Sequence, residues 1–475
     1  MLRMNCQSGP RRPSLSGRPG RPGRPGLLAL AVSATLGLGG LPTAQAQSLQ
    51  ALYDAARGYD AAYQSARLQA DSVAYKAEQS RALKRPTLNG TATASEARTE
   101  APSIRGNNVT RSSQQSVGLT AQYALFNRVN DKTISQAERA IDVARSQLAA
   151  AEQDLIVRLV QAYFDVLAST DALATVQTSK KAIAEQLASA KRNFEVGTAT
   201  ITDTREAQAR FDLATAQELA AENDLNVKRL ALDGVVGRAG TQPQPMAVPV
   251  LLPTLAPADV EEWVAQADSL SPPLQQLRLA RDVARLETEK ARADRLPTVG
   301  VSATVTEGYT RLAGNLATGT PVASSFGPNG GFGLSGNVAV QLNLPIYTGQ
   351  RLDNRIKETL ALEDKAQSDL EAGRRSVAQG TRSAFFGVRS LRAQVTALEA
   401  AESSSRLALE ATQLGYKVGV RVNLDVLNAQ TQLYQAQRDL AKARYDVVVN
   451  SLKLRQVSGQ LMPQDVNAVD ALLAR

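Results

Sequence analysis

Histidine is absent from all 475 residues, and cysteine occurs once, as Cys6. Those two facts remove Ser-His and Cys-His nucleophilic chemistry, His-ligated and thiolate metal sites, and any disulfide within one chain. Aromatic residues make up only 4%, with a single tryptophan, a low content for a compact enzyme. No Gly-rich phosphate loop and no paired-carboxylate motif occurs, so neither nucleotide hydrolysis nor acid–base catalysis has a carrier. No cofactor and no metal is expected. Proline is missing between Pro102 and Pro243, and from Asn127 to Val196 there is no glycine either. Beyond residue 46 no apolar run reaches the roughly 18 residues that a transmembrane helix needs.

The N-terminus has the marks of an export signal. Arg3, Arg11, Arg12, Arg18, Arg21 and Arg24 form a basic stretch, the apolar run 27–41 follows, and Ala44-Gln45-Ala46 supplies a small-x-small cleavage site. Residues 1–46 are therefore assigned as a cleaved signal peptide. The whole chain has a formal charge of +9. Removing a leader with six arginines and no acid leaves roughly +3, so charge does not argue for nucleic acid. Cys6 leaves with the leader, and no cysteine follows the apolar run to carry a lipid anchor.

The remainder is one pattern written twice. Residues 192–237 align with 414–459 without a gap, matching Val196/Val418, Gly197/Gly419, Asp203/Asp425, Ala207/Ala429, Gln208/Gln430 and Gly237/Gly459. Residues 117–126 match 338–347, and 85–95 match 296–306. Each half reads helix, strand, strand, helix, tip, helix. The first repeat spans 47–237, with strands at about 86–96 and 116–126 and a long helix at about 127–196. The second spans 260–460, with strands at about 297–309 and 333–346 and a long helix at about 350–418. Five prolines mark residues 238–259 as the linker, and 461–475 form a short tail.

Ala, Leu, Gln, Glu, Arg and Lys dominate the long segments, and a 70-residue helix would span roughly 100 Å. Apolar residues recur at three and four, as in Leu148, Leu155, Leu159, Tyr163 and Val166, or Leu427, Leu433 and Leu440. The strands alternate instead. Val299, Val301, Ala303 and Val305 point one way, with Thr298, Ser302 and Thr304 between them. Val338, Val340, Leu342 and Leu344 alternate with Gln341 and Asn343. Period-two alternation over about ten residues suits a strand with lipid on one side and a polar lumen on the other; any single segment equally fits a soluble half-buried strand, and four of them flanked by such long helices favour the membrane reading. Polar stretches at 97–115 and 311–331 read as loops. Four strands cannot close a barrel and an open edge is not viable in lipid, so several copies must pool their strands.

The doubled V-G-x-x-x-x-x-D pattern followed by A-Q, the strand ending LNLPIY at 342–347, the L/R-P-T entries into strands and the segment 441–459 resemble the TolC-type outer-membrane efflux protein family. The resemblance covers about residues 48–460. It implies a mostly α protein with a transmembrane β-barrel part: a homotrimer closing a 12-stranded barrel over a tunnel of twelve helices. It further implies location in the outer membrane of a Gram-negative bacterium, in contact with outer-membrane lipid, and reach into the periplasm. Partners would be a periplasmic adaptor and an inner-membrane ABC or proton-driven transporter, with no nucleic acid.

The resemblance also assigns sites. Val196, Gly197, Thr198, Val418, Gly419 and Val420 would form tips that dock the adaptor. Tyr416 and Arg421 would bind Thr202 and Asp203, as Tyr416–Asp203 and Arg421–Asp203/Thr202 links that hold the periplasmic gate shut. Glycine ending a helix and aspartate in a first turn also have ordinary capping roles. Asp425 would line the narrowest lumen ring, and Asn428 stands where the family has a second acidic ring. The function implied is the exit channel of a tripartite export system, in type I protein secretion; the alternatives are multidrug efflux and a non-pore coiled-coil scaffold.

Overall fold

The computed structural model describes residues 48–474, apart from 104, 105, 199, 248, 249, 251 and 316–329. The leader assigned to 1–46 lies outside the described residues. Leu49–Tyr59 (α1) and Ala61–Arg81 (α2) lead into strands Thr87–Ser103 (β1) and Gly106–Phe126 (β2), then helices Arg128–Glu195 (α3) and Ile201–Val236 (α4). After the linker the order repeats: Val260–Leu270 (α5), Pro272–Ala293 (α6), Thr298–Asn315 (β3), Gly331–Asn343 (β4), Arg351–Lys417 (α7) and Asn423–Val457 (α8). Gln464–Asp470 (α9) closes the chain. The fold is mostly helical, with one antiparallel sheet in the order β1-β2-β3-β4.

With 68 and 67 residues, α3 and α7 each extend roughly 100 Å. No proline interrupts either one, and each is hemmed by neighbours: α2, α4, α6 and α8 against α3, and α5, α6 and α8 against α7. The first helical segment of each repeat is broken where the sequence reads as continuous. Asp60 ends α1 and caps α2, its carboxylate accepting from the Tyr63 N–H at 2.8 Å. Ser271 divides α5 from α6 without a side-chain cap; there Pro272 and Pro273 take the first two positions of α6, where no intrahelical N–H is needed.

The main core gathers α1, α3, α4, α8 and α9. Leu155, Leu159, Tyr163 and Val166 of the periodic stripe are fully buried there. Phe164 stacks on Tyr445 with ring centroids 5.4 Å apart. At about 2 kcal/mol for each large apolar side chain removed from water, such clusters hold the helices in register. The Tyr163 hydroxyl pins the proline-rich linker, accepting from the Gln244 N–H at 2.7 Å and donating to its carbonyl at 3.1 Å. The tail is more than an appendage: Met246 bridges to Leu473, and Asp470 accepts the Leu49 N–H at 2.7 Å.

The sheet has two unlike faces. Leu88, Ala92, Val117, Leu119, Val301, Val305, Val338, Val340 and Leu342 occupy one, as the register pairs Leu119 with Val305 and Val301 with Val340. Thr93, Ser116, Thr120, Thr304, Asn337 and Gln341 occupy the other, with Thr93 and Ser116 hydroxyls 2.7 Å apart. Val338 is 76% exposed and Leu88 70%, so among the described residues no element covers the apolar face. A bulge at Ala124/Phe126 shifts Phe126 onto that face, opposite Val299, just before Asn127 caps α3.

Four strand limits correct the sequence reading. Residues 97–103 and 106–115 are not a loop; the β1–β2 ladder runs from Thr87↔Gln122 to Ser103↔Gly106. The apolar alternation stops where these strands turn polar, but backbone pairing continues, and Pro102 is tolerated because β1 is an edge strand. Likewise β3 continues through 311–315 to Asn315. β4 ends at Asn343, before Pro345, which cannot donate to a ladder.

Candidate gate and docking tips

The α3–α4 and α7–α8 turns are built alike at first. Gly197 and Gly419 adopt φ of 78° and 79°, left-handed conformations open to glycine at little cost. The turns close with Thr198 N–H to Asn193 O at 2.8 Å and Val420 N–H to Gly415 O at 2.9 Å, the backbone bonds of a left-handed helix stop. Val196, Val418 and Val420 are 72%, 66% and 79% exposed, and Phe194, Ile201 and Val422 add to this apolar surface.

Beyond the glycines the two tips differ. Thr200 begins α4 in a capping box: the Asp203 N–H donates to its hydroxyl at 3.2 Å, and Asp203 Oδ2 accepts from the Thr200 N–H at 3.0 Å and hydroxyl at 2.8 Å. The residue matching Thr200 in the second repeat is Val422, which has no side-chain cap to offer. Asp425 is therefore released, and its nearest cation is Arg421, at 3.6 Å. Paired aspartates at equivalent positions thus have different duties because of one side chain three residues earlier.

The links Tyr416–Asp203 and Arg421–Asp203/Thr202 are not made within this chain. Capping holds the Asp203 carboxylate, and Arg421 turns to Asp425. Tyr416 instead accepts from Asn193 Nδ2 at 3.3 Å, which ties α7 to α3. Thr202 sits in the first turn of α4, exposed. Two further cross-hairpin bonds join α8 to the first repeat. Gln186 donates to Asn423, and Arg210 donates to Asn428 Oδ1 at 3.0 Å. Asn428 is thus already engaged by a cation from α4. Neither Arg210 nor Gln186 stands in a motif, so sequence periodicity alone offered no signal for them. Asn423 Nδ2 and Gln430 Oε1 are buried without a hydrogen-bond partner among the described residues.

Two ion-paired groups lie at separate levels along α3, one at Arg158 and one at Gln136. Asp60 receives both guanidinium nitrogens of Arg158, at 2.9 and 3.1 Å, and this hydrogen bonding holds its carboxyl below the usual range. Burial pushes the Glu287 carboxyl up, but hydrogen bonds from Lys290, Gln136 and Arg355 together outweigh it and hold it at about 2.

Comparison with known proteins gives this geometry a lineage. The family described as "Outer membrane efflux protein" matches residues 33–238 and 263–460, both repeats. The outer membrane protein TolC of Vibrio cholerae serotype O1 is 33% identical over 452 residues, covering 94% of this chain and 98% of that relative. The alkaline protease secretion protein AprF of Pseudomonas aeruginosa is 32% identical, covering 74% of this chain and 69% of AprF. The CmeC outer membrane channel of Campylobacter jejuni shares the fold with a TM-score of 0.71 at 16% identity, covering 90% of each chain. The chain belongs to the outer membrane efflux protein family: it is a TolC-type channel for efflux or secretion in the outer membrane of a Gram-negative bacterium, reaching into the periplasm, and not an enzyme.

Proposed function

We propose that three copies of this chain close a 12-stranded barrel, and that it serves as the passive exit channel of a tripartite system. The observation that carries this reading is the sheet itself. Among the described residues nothing covers its apolar face, and nothing pairs with its two edges, β1 and β4. In lipid each unpaired backbone group costs several kcal/mol, so edge must meet edge between copies. Four strands from each of three chains give a barrel wide enough for traffic.

The helices continue the bore below the sheet, and the tips gate it. A periplasmic adaptor docks on the exposed valines around Gly197 and Gly419, and an inner-membrane ABC or proton-driven transporter supplies energy and cargo. The substrate is a protein in type I secretion, a reading favoured by the similarity to AprF, whose name describes protease secretion. Multidrug efflux is the second reading, favoured by the family's description as efflux proteins.

Cross-linking tests the assembly. With Cys6 replaced by serine, cysteines placed along β1 are combined in turn with one on β4. The reading expects disulfide-linked dimers and trimers from outer membranes, and no larger ladder. Monomers at every pairing contradict it. Co-purification from the source bacterium then separates the two cargo readings by the kind of inner-membrane transporter recovered.

A further inference from the structure

Every charged side chain of the described strands lies on one face. Glu96, Arg98 and Glu100 on β1, Arg111 on β2, and Glu307 and Arg311 on β3 share the face of Val117, Leu119, Val305 and Val340. The hydroxyl- and amide-bearing face carries no charge along the described strands. The charges are not scattered along the apolar face either. They start at Glu307, level with Val117 and Leu334, and gather on the side away from the helices, where Val109 is the one valine or leucine of this face among them. Tyr309 and Phe332, with ring centroids 5.1 Å apart, sit at that boundary, as aromatic pairs do where hydrocarbon gives way to headgroups.

The register brings the arginines together. Arg98 lies directly opposite Arg111, and Arg311 is opposite Ser113, one diagonal from Arg111. Such neighbours have Cβ atoms roughly 5 and 7 Å apart, and like charges directly opposite are destabilising unless something compensates them. Glu100 pairs with Arg98. Among the described residues Arg111 and Arg311 have no ion pair, and both are exposed.

We propose that Arg111 and Arg311 form a site for the phosphate groups of phosphorylated glycolipid in the outer leaflet. This rests on the barrel reading above, which turns the apolar face to lipid. The helices mark the periplasmic end of the sheet, so the arginines lie at the opposite, outer headgroup level. A planar guanidinium presents two donors to a phosphate, and two of them at diagonal spacing grip one headgroup from two strands. Glu96, Glu100 and Glu307 balance Arg98, Arg111 and Arg311, so the charged end of this face is neutral in sum. That mixture suits a headgroup layer whose phosphates are already bridged by divalent cations, and it leaves the lumen face neutral for cargo.

The test is native mass spectrometry of the full-length protein extracted from outer membranes, comparing the parent with the double variant Arg111→Gln, Arg311→Gln. The variant should keep its oligomer and its phosphatidylethanolamine, and retain about tenfold less phosphorylated glycolipid. Glycolipid stripped of its phosphates should bind the parent as weakly as intact glycolipid binds the variant. Equal retention by parent and variant, or by phosphorylated and dephosphorylated lipid, overturns the site. Complete displacement of the glycolipid by inorganic phosphate alone overturns it too, since the ligand would then be the free anion. An intact oligomer without bound glycolipid contradicts only this site; loss of the oligomer in the parent contradicts the barrel reading as well.

Discussion

Asp203 folds back on Thr200, accepting both its backbone N–H at 3.0 Å and its hydroxyl at 2.8 Å, while Asp425, its counterpart in the second repeat, follows a valine and is left uncapped. A side-chain cap contributes about 1 kcal/mol. Val422→Thr should give α8 the box that α4 has and draw Asp425 into it. Backbone amides at the start of α8 should then exchange several-fold more slowly, and cation selectivity of single channels should fall. Unchanged exchange would mean that the valine does not set the difference.

Asp425 and the tip residues Tyr416 and Arg421 set resting behaviour in the proposed gate. Asp425→Asn should lower the cation-to-anion permeability ratio, because three carboxylates around one axis favour cations. Tyr416→Phe with Arg421→Ser removes the Asn193 contact and frees Asp425. That double variant should raise resting conductance and cation selectivity together. A double variant as tightly shut as the parent would remove both residues from the gate.

Arg210 and Asn428 make a third cross-hairpin contact, at 3.0 Å. Asn428→Asp would add an opposite charge to a bond whose donor is already a cation, making it an ion pair and strengthening it by up to about 1 kcal/mol at this exposed position. Resting conductance should drop and transporter-driven opening should slow. Arg210→Gln should act in the opposite sense, and equal behaviour of the two variants would contradict the assignment.

Glu287 predicts an acid limit to stability. Its folded pKa of about 2 lies below the ordinary 4.5, so its contribution is full above about pH 4.5 and is lost as pH falls toward 2. Glu287→Gln should lower the thermal midpoint at pH 7 by a few degrees. It should also flatten the decline between pH 4.5 and 2, because the substituted side chain has no proton to take up. A parent-like acid decline in the variant would place the linkage elsewhere.

Much of this architecture was legible before any coordinates. Two proline-free stretches of helix formers become α3 and α7, and alternating valines become β3 and β4, because these signals follow directly from backbone geometry. The strand extensions beyond Ser95 and Tyr309 were hidden, since polar residues pair their backbones as well as apolar ones but leave no alternation to read. The helix break at Asp60 depends on one capping side chain, and the one at Ser271 on the two prolines that follow it. At the tips the glycines announced themselves. Which partner each side chain takes did not, because Asn193, Gln186 and Arg210 meet α7 and α8 only through packing of helices more than 200 residues apart in sequence.

The central claim is that the bare apolar face meets acyl chains while the opposite face lines a bore. Val340 and Gln341 are adjacent on β4 and point to opposite sides. Val340→Trp and Gln341→Trp, each reconstituted with phospholipids brominated on their acyl chains, compare the two faces against a constant background from buried Trp263. Strong quenching of the tryptophan at 340 and little at 341 is the predicted result. Equal quenching at both positions, or none at 340, would contradict the account.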